Sequence, residues 1–136
     1  EVAMAAQAVR MTAIVVRAAV IESRAQRLLM LVREKELQVL AKGALTKQHN
    51  VTVESKFSKS VVDKAGELFT KSTDRVPHGK GLSGFKLQSE EGRSLYRSPA
   101  YKEDRAEYQA NFQSYNTRPF KGDYKINVHV NVRKWP

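Results

Sequence analysis

Cysteine is absent from this chain of 136 residues, which removes disulfide scaffolds, cysteine-ligated zinc and thiol nucleophiles together. Gly and Pro are absent from positions 1 to 42, so nothing in that stretch interrupts a helix. Long apolar runs are missing as well. AIVV stops at Arg17, and even VAMAA and LLMLV reach only five residues, far short of the roughly 20 a bilayer crossing needs, so no membrane span is expected. No P-loop, GxGxxG, GxSxG or HExxH occurs, so nucleotide-binding, hydrolase and protease readings lack a handle. The chain begins at Glu1 with no charged-then-apolar leader, as a mature product or the excised C-terminal piece of a longer protein would.

Acidic residues are the scarcer charge. Twenty-four Lys and Arg face fourteen Asp and Glu, a net charge of +10 that favours a polyanionic partner. The excess is spread as +4, +3 and +3 over residues 1–50, 51–100 and 101–136, which is not the pattern of a basic tail. Apolar residues make up 41%, enough for a real core.

Within the uninterrupted N-terminal stretch, Met4, Met11, Ala18, Ala25, Val32 and Val39 recur every seven residues, and Ile14, Ile21 and Leu28 follow members of that series by three. This is the a/d stripe of a helix that packs on a partner or on its own domain, with Gly43 as C-cap. Arg10, Arg17 and Arg24 line one flank, as a solvated edge or as a stripe that tracks phosphates. NVTVE alternates briefly, as a short strand or an extended link. SKSVVDKAGELFTK, residues 58 to 71, places Val61, Val62, Ala65, Leu68 and Phe69 on one side of a second helix, with Ser58 or Ser60 as N-cap. Residues 72 to 84, rich in Gly, are expected to be loop.

Beyond Gly84 the period changes to two. FKLQS, RSLYRS, YQANFQSY and YKINVHVNV are four candidate strands, with Glu91-Gly92 suited to a hairpin turn. The expected architecture is α+β: N-terminal helices packed on one face of a C-terminal four-stranded antiparallel sheet, divided into a helical subdomain over 1–50 and an α+β domain over 51–136. In the last strand Ile126, Val128, Val130 and Val132 alternate with Asn127, His129, Asn131 and Arg133, leaving amides, an imidazole and a guanidinium on the open face.

A metal nuclease needs clustered ligands, but His49, His78 and His129 lie far apart in sequence, and the pairs Glu90-Glu91 and Glu103-Asp104 sit in expected turns. HGKGLSG is no Walker loop, yet it is basic and compatible with phosphate. Metal-free RNA cleavage asks for less. The 2′-hydroxyl is an internal nucleophile, so the protein has only to take its proton, give one to the leaving 5′-oxygen and stabilise the phosphorane with cations. His129 is the acid/base candidate, and a lone strand histidine is as commonly structural. Lys80, Arg97 and Lys102 are candidate phosphate ligands or phosphorane stabilisers, Arg118 and Lys121 further phosphate ligands, and Gln109 and Asn111 substrate-orienting amides. Tyr96, Tyr101, Tyr108, Tyr115 and Tyr124 interleave with these cations, as base stacking or as ordinary strand packing.

SVVDKAGELF, RVPHGKGLSGFKL, SLYRSPAYK, YQANFQ and the final His-bearing strand resemble the C-terminal toxin domains of CdiA-type contact-dependent growth inhibition proteins. The resemblance covers roughly residues 1 to 133 and is most particular in RSPAYK and QANFQ. It implies a transfer-RNA (tRNA) nuclease with a barnase/EndoU/colicin/RelE-like core behind a helical subdomain, no metal or small-molecule cofactor, and in some members elongation factor Tu with GTP as a protein cofactor. It also implies an acidic cognate immunity protein, delivery from the surface of a producing cell, and action in the cytoplasm of a target bacterium. The family pattern implies Gly before the final-strand His, where this chain has Val128, which puts the aim of His129 in question. Two other classes fit the composition: a non-catalytic RNA-binding protein of ribosomal or RNA-coating type, and a metal-dependent DNase toxin.

Overall fold

The computed structural model describes residues 2–43, 47–78, 83–104 and 106–133, the side chains of Val2, Asp123 and Tyr124 excepted. The element order is α1 (Val2–Leu40), β1 (Gln48–Phe57), α2 (Lys59–Thr70), β2 (Val76–Pro77), β3 (Phe85–Gln88), β4 (Ser94–Lys102), β5 (Glu107–Thr117) and β6 (Lys121–Val132). The chain is thus α+β, a long N-terminal helix followed by a shorter one and a multi-stranded sheet.

The four expected strands form the centre of that sheet as an antiparallel succession, β3 to β6. Among the described residues the sheet has six strands rather than four, in the order β1-β6-β5-β4-β3-β2, and it is mixed rather than purely antiparallel. NVTVE is the middle of β1, which runs parallel to β6 with Val51 opposite Val128 and Thr52 opposite His129. Val76 and Pro77, expected in loop, pair with β3 at the other edge. The domain boundary expected at residue 50 falls inside β1.

Strand alternation fixes the two faces. Val53, Leu87, Tyr96, Ala110, Phe112, Ile126, Val128, Val130 and Val132 turn to one side and join Val61, Val62, Ala65 and Phe69 of α2 in the core. Phe69 meets Phe112 edge to face at 5.3 Å between ring centroids. Ser58 caps α2, its Oγ accepting from Val61 N at 3.4 Å, and Lys71 ends it in the left-handed region. Gly66 is where α2 comes nearest the sheet: a Cβ there would lie 2.5 Å from the Tyr96 ring, so only glycine allows this approach. Beneath it the Tyr96 hydroxyl donates to Asp63 Oδ1 at 2.7 Å, while Lys59 Nζ stands 2.5 Å from Oδ2. A carboxylate is thereby held inside the helix–sheet interface with both oxygens engaged.

The heptad stripe of α1 is used only in its second half. Ala25, Leu28, Val32 and Val39 are buried, and Ile21, Leu29 and Leu31 pack partly against the core. Residues 3 to 20 are exposed throughout, including Met4, Met11 and Ile14 of the same stripe. Gly43 closes the helix at φ 104, its N–H reaching Leu40 O at 3.3 Å. By length and composition this helix could cross a membrane, and none of its most apolar stretch is buried. The expectation of no span rested on unbroken apolar runs; over a whole span length the Ala, Val and Ile content outweighs isolated charges.

Candidate nucleic-acid interface and proton-transfer groups

The sheet face turned away from the helices carries the polar half of every central strand. Directly opposed residues share a face, and the registers set Lys86 opposite Arg97, Arg97 opposite Asn111, Asn111 opposite His129 and His129 opposite Thr52. One row of side chains therefore crosses five strands. At about 4.8 Å per strand, Arg97 and His129 stand roughly 10 Å apart with Asn111 between them. A parallel row runs Gln88, Leu95, Gln113, Asn127 and Asn50. On the other side of the Asn111–His129 row Gln109 and Asn131 pair, Gln109 Nε2 donating to Asn131 Oδ1 at 2.8 Å.

These amides are shielded although no helix covers them. Gln109, Asn111, Gln113 and Asn127 are all buried, and Asn111 Oδ1 and Asn127 Oδ1 have no hydrogen-bond partner among the described residues. Solvent-free polar atoms of this kind normally find partners, and this face leaves two amide oxygens unmet among the described residues. His129 is half-buried, its Nε2 lying 3.3 Å from Asn50 Oδ1, which also accepts from Gln48 Nε2 at 3.0 Å. Val128, where the family pattern has Gly, is fully buried between Val51 and Phe112 and so anchors the strand that presents His129.

His78 joins the cationic end of the row, a position no sequence spacing revealed. Its imidazole is held below the usual 6.5, first by burial and then by Arg97, Lys86 and Lys102. A Cβ on Gly84 would fall 2.5 Å from Ser98 Oγ and 3.2 Å from the His78 ring, so the glycine seats this histidine against β4. His78 Nδ1 is shielded with no partner among the described residues. The usable signal was its place at the head of HGKGLSG, a phosphate-compatible loop beside a strand. His49 alternates to the helix face, opposite Ile126, and does not belong to the row.

Of the expected site residues, His129, Arg97 and Asn111 are brought into one line, and Gln109 flanks it. Lys102 sits at the end of β4 opposite Glu107, near enough to His78 to lower its proton affinity. Lys80 lies outside the described residues. Arg118 lines a cavity of about 540 Å³, together with Thr70, Lys71, Ser89, Glu90 and Glu91, away from the row. Lys121 borders a different hollow at the β5–β6 turn. Among the tyrosines, Tyr96 is wholly buried, whereas Tyr101 is exposed and stacks at 5.2 Å on Tyr108. Among the described residues no carboxylate forms an ion pair with Arg97, Lys86, Lys102 or Lys125. No cluster of three or more His, Asp or Glu side chains with metal-binding geometry occurs among them either.

The chain matches no family model, no curated protein and no solved structure.

Proposed function

We propose that this chain is a bacterial toxin domain of the CdiA type, a metal-independent endoribonuclease that cleaves tRNA in the cytoplasm of a target cell. The observation that carries the reading is the row Lys86, Arg97, Asn111 and His129 on the open sheet face, with His78 at its cationic end. Transesterification through the 2′-hydroxyl needs a base, an acid and charge stabilisation of the phosphorane, all at one place. His129, ordered by Asn50, is suited to serve as general acid or base in that transfer. His78, which burial and then Arg97, Lys86 and Lys102 bias toward the neutral form, is a second candidate base toward the other end of the cationic row. Arg97 stands between them, with Lys86 and Lys102 beside it, as the phosphate clamp. Asn111, Gln109 and Asn127 orient the nucleotide through their amide edges.

Within this reading the long N-terminal helix ahead of the sheet belongs to a barnase/EndoU/colicin/RelE-like arrangement. The partners are tRNA, an acidic immunity protein that covers the basic face, and elongation factor Tu with GTP as a helper. Delivery is from the surface of a producing cell. Incubating the full chain with bulk bacterial RNA and with plasmid DNA, each with and without EDTA and with elongation factor Tu and GTP in parallel tubes, tests it. Discrete tRNA fragments that persist in EDTA are expected. Intact RNA in every tube would make the protein a non-catalytic RNA binder, and EDTA-sensitive DNA cleavage would make it a metal-dependent nuclease.

A further inference from the structure

At the far end of the open face from Lys102, the β5–β6 hairpin and the start of β1 enclose a hollow of about 390 Å³ bordered by Lys47, Tyr115, Phe120, Lys121 and Lys125. Tyr115 lies opposite Lys125 and Lys125 opposite Gln48, so this is the next built row along the same strands that carry Asn111 and His129. Tyr115 and Phe120 meet edge to face at 5.8 Å, and Lys125 Nζ stands 5.9 Å from the Tyr115 ring. The Tyr115 hydroxyl donates to Gln113 Oε1 at 3.2 Å, which fixes the ring on the strand. Phe120 is a non-glycine residue at φ 50, a conformation that favours Gly or Asn, and its N–H is tied to Gly92 O at 2.6 Å. An aromatic ring is thus held where backbone preference would put a smaller residue.

Among the described residues the charge of the hollow has no counter-ion of its own. None of Lys47, Lys121 and Lys125 is ion-paired among the described residues. Burial first, and then the Arg97 guanidinium, lower the proton affinity of Lys125. Rings beside clustered unpaired cations are the elements that hold a single strand, with bases on the aromatic faces and phosphates on the ammoniums. A duplex offers those cations its phosphates but keeps its base faces stacked.

We propose that this hollow is a nucleotide subsite for an unpaired base and its flanking phosphates, so that the substrate crosses the sheet as a single strand running from Tyr115 and Phe120 to His129. Lys125 and His129 are four residues apart on one strand face, about 13 Å, a distance that a short single-stranded segment spans. Substrates would then be loops and open ends of RNA rather than paired stems. The direction of the strand rests on the ribonuclease reading; the subsite itself does not.

A short fluorescein-labelled oligodeoxythymidine separates the two, because it lacks the 2′-hydroxyl and is not consumed by the proposed chemistry. Anisotropy titrations of the full chain should give tighter binding to this strand than to a blunt duplex of the same length. Phe120→Asn, which suits the left-handed backbone, and Tyr115→Leu should each weaken the single strand about tenfold and leave duplex affinity nearly unchanged. Lys121→Gln should weaken both and lower the salt slope by about 0.7 for the single strand. Melting curves that match the parent verify that each variant is folded, and Lys121→Gln, at an exposed position, carries the test if a ring variant does not fold. Ring variants that bind the strand as the parent does, or a Lys121→Gln protein with an unchanged salt slope, would overturn the subsite. Normal subsite behaviour without any RNA cleavage would instead remove the ribonuclease reading and leave the subsite standing.

Discussion

Arg97 on β4 and His129 on β6 face the same side of the sheet in register, separated only by Asn111 on β5. Neither residue is near the other in sequence; the antiparallel register of three strands makes the alignment. The pairing places an imidazole and a guanidinium on one face of the sheet, roughly 10 Å apart at the backbone.

The first consequence concerns His129. Replacement by Ala should lower tRNA cleavage by about 100-fold or more if the imidazole transfers a proton. The side chain is half-buried and packs on the open face, outside the apolar core, so melting temperature should change little. Near-parental cleavage by a folded His129→Ala protein would take the residue out of the mechanism.

His78 makes a separate prediction through pH. Its folded imidazole lies below 6.5, so as a base it stays deprotonated and competent at pH values where an ordinary histidine is already protonated. The acidic limb of kcat/KM for RNA should therefore fall below pH 6.5. Arg97→Gln removes the second-largest cause of that shift and should move the limb upward, toward the ordinary value, besides slowing the reaction. His78→Ala should abolish the limb. A limb that stays in place in the Arg97→Gln protein would assign it to another group.

How much of this was legible in the sequence depends on the range of the interaction. α2 and the strands β3 to β6 follow from local periods, and Ile126, Val128, Val130 and Val132 are all buried, as their alternation requires. β1 was read only as far as NVTVE, because its partner β6 is distant in sequence and a parallel edge pairing leaves no turn signal between them. The heptad stripe of α1 states that the helix has an apolar side but not what covers it, which is why Ile14 and Leu28 read alike and end up exposed and buried. Arg97 stood out by residue type alone, and His129 by its type and its place in the alternation of the last strand. His78 was set aside because no partner lies within a helical turn, whereas its neighbours Arg97, Lys86 and Lys102 reach it through strand pairing.

Gly66 tests the helix–sheet contact that supports the face. A methyl there would sit 2.5 Å from the Tyr96 ring, which is fully buried and hydrogen-bonded to Asp63, so the ring cannot swing away. Gly66→Ala gains helix propensity of up to about 1 kcal/mol, yet overpacking of this kind costs about 1–3 kcal/mol. The net expectation is a lower midpoint in chemical denaturation. An unchanged or raised midpoint would mean that α2 can lift from the sheet without penalty.

Glu36 ties the long helix to the sheet and sets a pH dependence of opposite sign to that of a surface carboxylate. Ser114 Oγ donates to its Oε2 at 2.9 Å, but Oε1 is buried with no partner among the described residues. Burial raises its pKa above 4.5 and outweighs the lowering by Ser114 and Arg33. The folded state thus binds this proton more tightly than the unfolded chain does. The stabilisation is complete below pH 4.5 and is lost as pH rises through the folded value, because the unfolded carboxylate ionises first. Glu36→Gln keeps an acceptor for Ser114 and removes the charge, so it should raise the melting temperature at pH 7. That gain should shrink on acidification and vanish below pH 4.5, where wild type is also neutral. A gain independent of pH would trace the effect to packing, and a loss at pH 7 would mean that the ionised carboxylate is the form the α1–sheet contact needs.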